Sequence, residues 1–214
     1  MSEVSSVWQS HTRYNGANVL PPGQRGEWKP RNPNSLGALW EGRFFGMSLE
    51  PPAGTPEGPP EHLGFRPSVK RVIAAGDKGI ASEGWYPYNP KKPKPGPSRD
   101  LWMAVKQNLP PFIKGVPFDP LFFYVAIGSS LDVWHGRDAF FLWRGVLVAI
   151  DVSCLEKSKA GVREMYLKAD RLFMPKHVGL ASLCIISKSI AGLLKARDQS
   201  RAARQRGEKY HRGF

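Results

Sequence analysis

Leu121–Ser153, LFFYVAIGSSLDVWHGRDAFFLWRGVLVAIDVS, is the most apolar stretch of the chain, and its reading decides the fold. PLFFYVAIG is continuously apolar, β-branched and aromatic, as a buried strand is. DAFFLW and VLVAIDVS read as two further strands. Only Arg144 and Gly145 separate them, a connection that makes the pair an antiparallel hairpin. SSLDVWHGR, between the first and second strands, reads as a loop. The start of one hairpin strand lies opposite the end of its partner, so Asp138 and Asp151 meet across the pair. Asp132 and His135 sit in the loop just before them.

Two carboxylates brought together at a sheet end repel unless something positive lies between them. A divalent cation is the usual solution, and Mg²⁺ or Mn²⁺ held there polarises a phosphoryl oxygen or activates a water. On this reading Asp138, Asp151 and Asp132 are candidate metal ligands, and His135 is a candidate general acid/base or further ligand. The competing reading is structural: strand-end aspartates cap turns or pair with a neighbouring cation such as Arg137 or Arg144. A Ser/His/Asp hydrolase built from Ser129 or Ser130 is disfavoured, because GSS lacks the glycine pattern of a nucleophile elbow. Gly76–Gly79, GDKG, has neither the spacing of a P-loop nor the helix that follows one.

Working outward, RDLWMAVKQNL is a helix with Leu101, Val105 and Leu109 on one face and Trp102 beside them. Ser98 reads as its N-cap, and Pro110–Pro111 end it. After the hairpin, Cys154–Lys168 is polar and irregular or helical, and Lys168–Pro175, KADRLFMP, reads as another strand. His177–Arg197 is the longest helix, apolar at Val178, Leu180, Leu183, Ile186, Ile190 and Leu193–Leu194. Residues 198–214 form a basic tail, read as a frayed extension of that helix.

Residues 1–97 contrast with all of this. Most of the chain's 20 prolines lie there, in runs such as EPPAGTPEGPPEH that forbid long helices and central strands. Yet Trp8, Trp28, Trp40, Phe44, Phe45, Trp85, Tyr86 and Tyr88 punctuate the stretch, as anchors on an extended arm do. Short regular pieces are expected at Leu36–Leu49 and, as a brief strand, at Ser68–Ala75. Tyr88–Asp100, with alternating Lys and Pro, reads as a stiff cationic connector. The expected fold is therefore α/β, with a small mixed β-sheet flanked by helices. A long extended Pro-rich arm precedes a domain over residues 98–197.

The chain of 214 residues carries 31 Lys and Arg against 18 Asp and Glu, a net charge of +13. That excess favours a polyanionic partner, nucleic acid rather than membrane, since no lipid-facing helix accompanies it. Protein partners are expected along the arm. Cys154 and Cys184 have no zinc spacing and read as free thiols in a reducing compartment. MSEVSSVWQS lacks the charged and apolar regions of a secretion signal, so an intracellular or nucleoprotein location is expected.

The order of helix, strand, Asp-initiated strand, tight turn and strand ending in an acid resembles the PD-(D/E)xK nuclease superfamily over about Arg99–Ser153. The resemblance implies that Asp138 and Asp151 hold a metal, and that a lysine two residues after the second acid assists the attacking water. Here that position is Ser153, and a serine does not replace a positive charge facing a developing oxyanion. Lys157, Lys159 or Lys168 would have to reach back in its place. Two functions follow as expectations. One is nucleic-acid binding with metal-dependent phosphodiester hydrolysis. The other is a non-enzymatic structural role in a large nucleoprotein assembly, such as a virion or ribosome-like particle, using arm and tail.

Overall fold

The computed structural model describes residues 35–46, 58–76, 89–110, 119–154 and 170–211, the side chains of 172 and 207–211 excepted. Its centre is a four-stranded mixed sheet in the order β1-β2-β3-β4: Phe122–Val125, Ala139–Trp143, Val146–Val152 and Arg171–Phe173. The first three strands are antiparallel neighbours, and β4 runs parallel to β3. The hairpin forms as its two-residue link requires. Arg144 and Gly145 take φ of 48° and 73°, the paired left-handed conformation that matches strand twist. Arg144 tolerates it while donating to Asp119 at 2.7 Å and lying over the Trp143 ring at 4.7 Å.

Successive strand side chains point to opposite faces, and both faces are apolar and covered. One face presents Phe123, Val125, Phe141, Val148, Ile150 and Phe173. Three helices pack on it: α1 (Leu36–Phe45), α3 (Pro97–Gln107) and α5 (Leu180–His211). The other presents Tyr124, Phe140, Leu147 and Ala149 beneath α2 (Phe65–Ala75) and α4 (Ser130–His135). The result is an α/β fold with helices on both sides of a small mixed sheet.

Both α1 and α2 lie inside the stretch 1–97 read from sequence as an extended arm. Phe44 and Phe45 are fully buried, with Phe44 4.7 Å from Phe173 and Phe45 6.3 Å from Phe123 between ring centroids. The EPPAGTPE run, Trp8, Trp28, Trp85, Tyr86 and Tyr88 lie outside the described residues, as does most of Cys154–Lys168. The Lys/Pro stretch after Asn89 is no free connector. Pro90 and Pro93 are buried, and the Pro90 carbonyl accepts from the Phe123 amide. Gly46, the left-handed cap of α1, sits so close that a Cβ there would lie 2.6 Å from the Pro95 carbonyl oxygen.

Four local expectations need correction. Ser68–Ala75 is helix, not strand, because Ser68, Val69 and Val72 at helical spacing form its buried face. Pro67 is tolerated there because first-turn amides need no intrahelical partner. The expected loop at Ser129–Arg137 contains α4, whose start is capped by the Ser129 hydroxyl and whose end is capped by left-handed Gly136. Ser98 does not cap α3: Gly96 does, with Pro97 at the first helical position. Helix α5 starts after a 3₁₀ turn at Pro175–His177 and leaves Val178 and Leu180 exposed. It continues through the expected frayed tail to His211. No helix among the described residues is long and apolar enough to cross a membrane.

One ion pair clamps α5 to the sheet. Arg197 donates to both Asp170 oxygens, at 2.9 and 2.7 Å, and to the Leu147 carbonyl, while Asp170 also accepts from the Ala149 amide. Burial alone would raise the Asp170 carboxyl, but Arg197 and the Ala149 amide outweigh it and hold it below its ordinary value. Its stabilising contribution is therefore present above the unfolded-state pKa and is lost as pH falls through the lowered folded value. Asp170→Asn, which strands Arg197, should cost about 3 kcal/mol at pH 7, with the deficit shrinking in acid; urea melts across pH measure it. Phe44→Ala should cost about 3–5 kcal/mol by the same assay, whereas a helix lying outside the core would lose almost nothing.

Candidate functional site

The hairpin register ends at the pair Ala139 and Ile150, and Asp138 and Asp151 lie just beyond it at the same end of the two strands. Asp132 of α4 and Glu41 of α1 act on Asp138 together with Asp151, so acids from the helices of both sheet faces meet at this end of the hairpin. Asp138 is buried at 4% exposure, and Asp151 is half-buried. The backbone holds Asp138 on three sides: its amide donates to the Ile150 carbonyl, its carbonyl accepts from the Ala126 amide, and its Oδ2 accepts from the Val152 amide at 2.5 Å.

Burial, and then the negative charges of Asp132, Asp151 and Glu41, push the Asp138 carboxyl well above the carboxylate range; the Val152 amide pulls the other way. Four acids thus gather around one end of the sheet in a strongly basic chain. Glu41 is the member that sequence reasoning missed. It lies on α1, 8% exposed, and comes from the stretch read as arm. Its signal was present: Ala38, Glu41 and Phe45 repeat at the spacing of a helix's buried face, with an acid in the middle position.

The other expected residues separate. Asp132 is close enough to act on Asp138 electrostatically, but its Oδ2 also accepts from the Gly128 amide at 2.8 Å and so ties the β1–α4 connection. His135 turns toward the segment before α2, where Nε2 lies 2.8 Å from the Leu63 carbonyl oxygen and the ring packs against Phe65. Because a carbonyl can only accept, that nitrogen carries the proton, and the ring is a support for α2. Arg144 serves the far end of the hairpin, with Asp119 and Asp198. Arg137 lies 5.8 Å over the Phe65 ring, next to the acids. Ser153 shares the face of Asp151, is 9% exposed and donates its amide to the Phe173 carbonyl. Lys157, Lys159 and Lys168 lie outside the described residues.

Among the described residues no three His, Cys, Asp or Glu side chains converge as a ready-made metal cage. The acids that would hold a hard cation, were one to bind at this end of the sheet, are Asp138 and Asp151. Two carboxylates suffice for Mg²⁺, which keeps waters and phosphate oxygens as its remaining ligands. No family model, no curated protein and no solved structure matches this chain.

Replacing the Asp138 carboxylate by its amide tests the electrostatics directly. A raised folded pKa means stability that is complete below the unfolded value and is lost as pH rises through the folded one. Asp138→Asn does not suffer that loss. Its Tm should therefore exceed that of the parent at pH 8 without divalent metal, by about 2–4 °C per kcal/mol of repulsion relieved, and the gap should narrow toward pH 4. A gap that widens in acid would show the opposite electrostatics.

Proposed function

We propose that the protein binds nucleic acid and hydrolyses its phosphodiester backbone with a divalent cation, Mg²⁺ or Mn²⁺, held by Asp138 and Asp151. The observation behind this reading is the buried position of Asp138 at the end of the hairpin, with Asp151, Asp132 and Glu41 close enough to add negative charge around it. Burial and the neighbouring acids disfavour the charged form of Asp138, and a bound cation would offset that effect. When bound, such a cation supplies electrostatic stabilisation to the scissile phosphate and acidifies a water.

The chain's own residues would do the rest. The Val152 amide fixes the orientation of the Asp138 carboxylate, so one ligand is set before any cation arrives. Asp132 ties the β1–α4 connection and deepens the negative field around Asp138. The resemblance to PD-(D/E)xK nucleases is part of the same reading, supported by a helix-flanked sheet with an acid at the start of β2 and another near the end of β3. The positive charge that such an enzyme sets beside its attacking water would come from Lys157 or Lys159.

A second reading is favoured by one observation: the position two residues after Asp151 is Ser153, whose amide belongs to the β3–β4 ladder. A chain without a lysine there and without a substitute is a binding component of a nucleoprotein assembly, and it uses the same basic surface without cutting.

Incubation with plasmid and single-stranded DNA or RNA separates the two. Hydrolysis requires Mn²⁺ or Mg²⁺ and should fall at least about 10³-fold in Asp138→Ala and Asp151→Ala, as when a group stabilising transition-state charge is removed. Salt-sensitive binding with no cleavage under either metal, and no Tm rise on adding Mn²⁺, leaves only the assembly reading.

A further inference from the structure

Helix α2, FRPSVKRVIAA, contains no acidic residue, and its outward face carries Arg66 and Lys70 one turn apart. That helix packs on the sheet face of Tyr124, Phe140 and Leu147 together with α4, the helix that carries Asp132. At its first turn four partly or fully exposed rings gather. His62 is exposed, while Phe65, Trp134 and His135 are half-buried. The His62 ring meets Trp134 edge-on at 5.2 Å and lies 6.5 Å from His135, and Phe65 meets His135 at 5.7 Å. Arg137, the residue immediately before Asp138, lies over Phe65 and so places the aromatic group one residue from that acid in the chain.

The platform is held in place by backbone and hydroxyl bonds rather than by the rings themselves. Trp134 donates its indole N–H to the Pro60 carbonyl at 2.8 Å, the Leu63 amide donates to the Ser130 hydroxyl, and the buried Ser68 and Ser130 hydroxyls bond each other at 3.0 Å. Ring edges and faces left to solvent are thus presented by a rigid support, with cations along one side.

We propose that this face receives a single-stranded nucleic acid, Arg66 and Lys70 taking successive phosphates and the His62–Trp134 group stacking an unpaired base next to the Asp138–Asp151 pair. The inference rests on the hydrolysis reading only for what happens to the strand, since recognition is a property of the face itself. Charge complementarity selects a polyanion, and partly exposed rings beside the cations select bases that are not already stacked in a duplex. Glu61 lies on the approach but is paired with Arg71 at 3.1 Å, so its charge is met locally and the phosphate track runs along Arg66 and Lys70.

Fluorescence anisotropy with the full-length chain in EDTA, where no hydrolysis occurs, tests the face. The probes are a labelled twelve-nucleotide oligothymidylate and a duplex of the same length. The single strand should bind about tenfold more tightly than the duplex, in line with one stacked base. Arg66→Gln combined with Lys70→Gln should weaken single-strand binding and lower the salt slope by about 1.4, because each neutralised phosphate of a single strand adds ~0.7 to that slope. His62→Ala should weaken it about 5-fold or more with the slope unchanged, because stacking carries no counterion release. Circular dichroism confirms that each variant is folded, and Arg66→Lys should restore the slope. Equal affinity for duplex and single strand, or variants that leave both affinity and slope unmoved, overturns the proposal. Manganese-dependent cleavage that survives such a result keeps the hydrolysis reading. Binding as described without cleavage keeps the face and removes the enzyme.

Discussion

Everything at the candidate site depends on the register of one hairpin. A slip of a single residue between β2 and β3 would turn Asp138 and Asp151 to the opposite face and put Phe140 where Phe141 now packs. The two-residue turn at Arg144–Gly145 prevents it, because both residues hold positive φ and so admit one alignment. Arginine is an unusual occupant of such a position, and its side chain shows why it is accepted: it bonds Asp119 and Asp198 and stacks on Trp143. The turn is thereby tied to α5 through Asp198. The end of the hairpin remote from the acids is thus cross-braced, and Asp138 and Asp151 take no part in setting the turn.

Two aspartates show how differently the same side chain is used at the two flanks of β3. Asp170, largely buried, has a guanidinium, a backbone amide and a depressed pKa, which is what a structural carboxylate needs. Asp138 is buried more deeply and accepts from the Val152 amide, but further acids surround it and its pKa moves the other way. A fold selected for stability alone has a simple remedy at such a position, an asparagine or an apolar residue of similar size. Perturbed carboxylates of this kind occur at functional sites and also in structural charge networks.

Much of this was legible in the sequence because it is local. The hairpin followed from a two-residue link between apolar runs, and the placing of Asp138 and Asp151 at one end followed from the hairpin. The β4 strand and the buried face of α3 at Leu101 and Val105 were legible for the same reason. What failed was tertiary. Helix α1 falls within the regular piece expected at Leu36–Leu49, but its packing onto the sheet was not foreseen, and the eleven residues of α2, set in proline-rich sequence, read as a brief strand. Glu41 was missed because its proximity to Asp138 comes from packing between segments far apart in the chain. At α4, cap signals at Ser129 and Gly136 flank only six residues, too few for periodicity to show.

Glycine, proline and charge then divide the molecule by function. The face under α1, α3 and α5 is closed by phenylalanines, and Gly46 lets α1 dock against the Lys/Pro segment without clash. The face under α2 and α4 is closed less completely, with hydroxyl pairs and half-exposed rings in place of a phenylalanine column. Ser153 sits on this same face, two residues beyond Asp151, and the chain leaves β3 there toward a stretch that holds Lys157, Lys159 and Lys168.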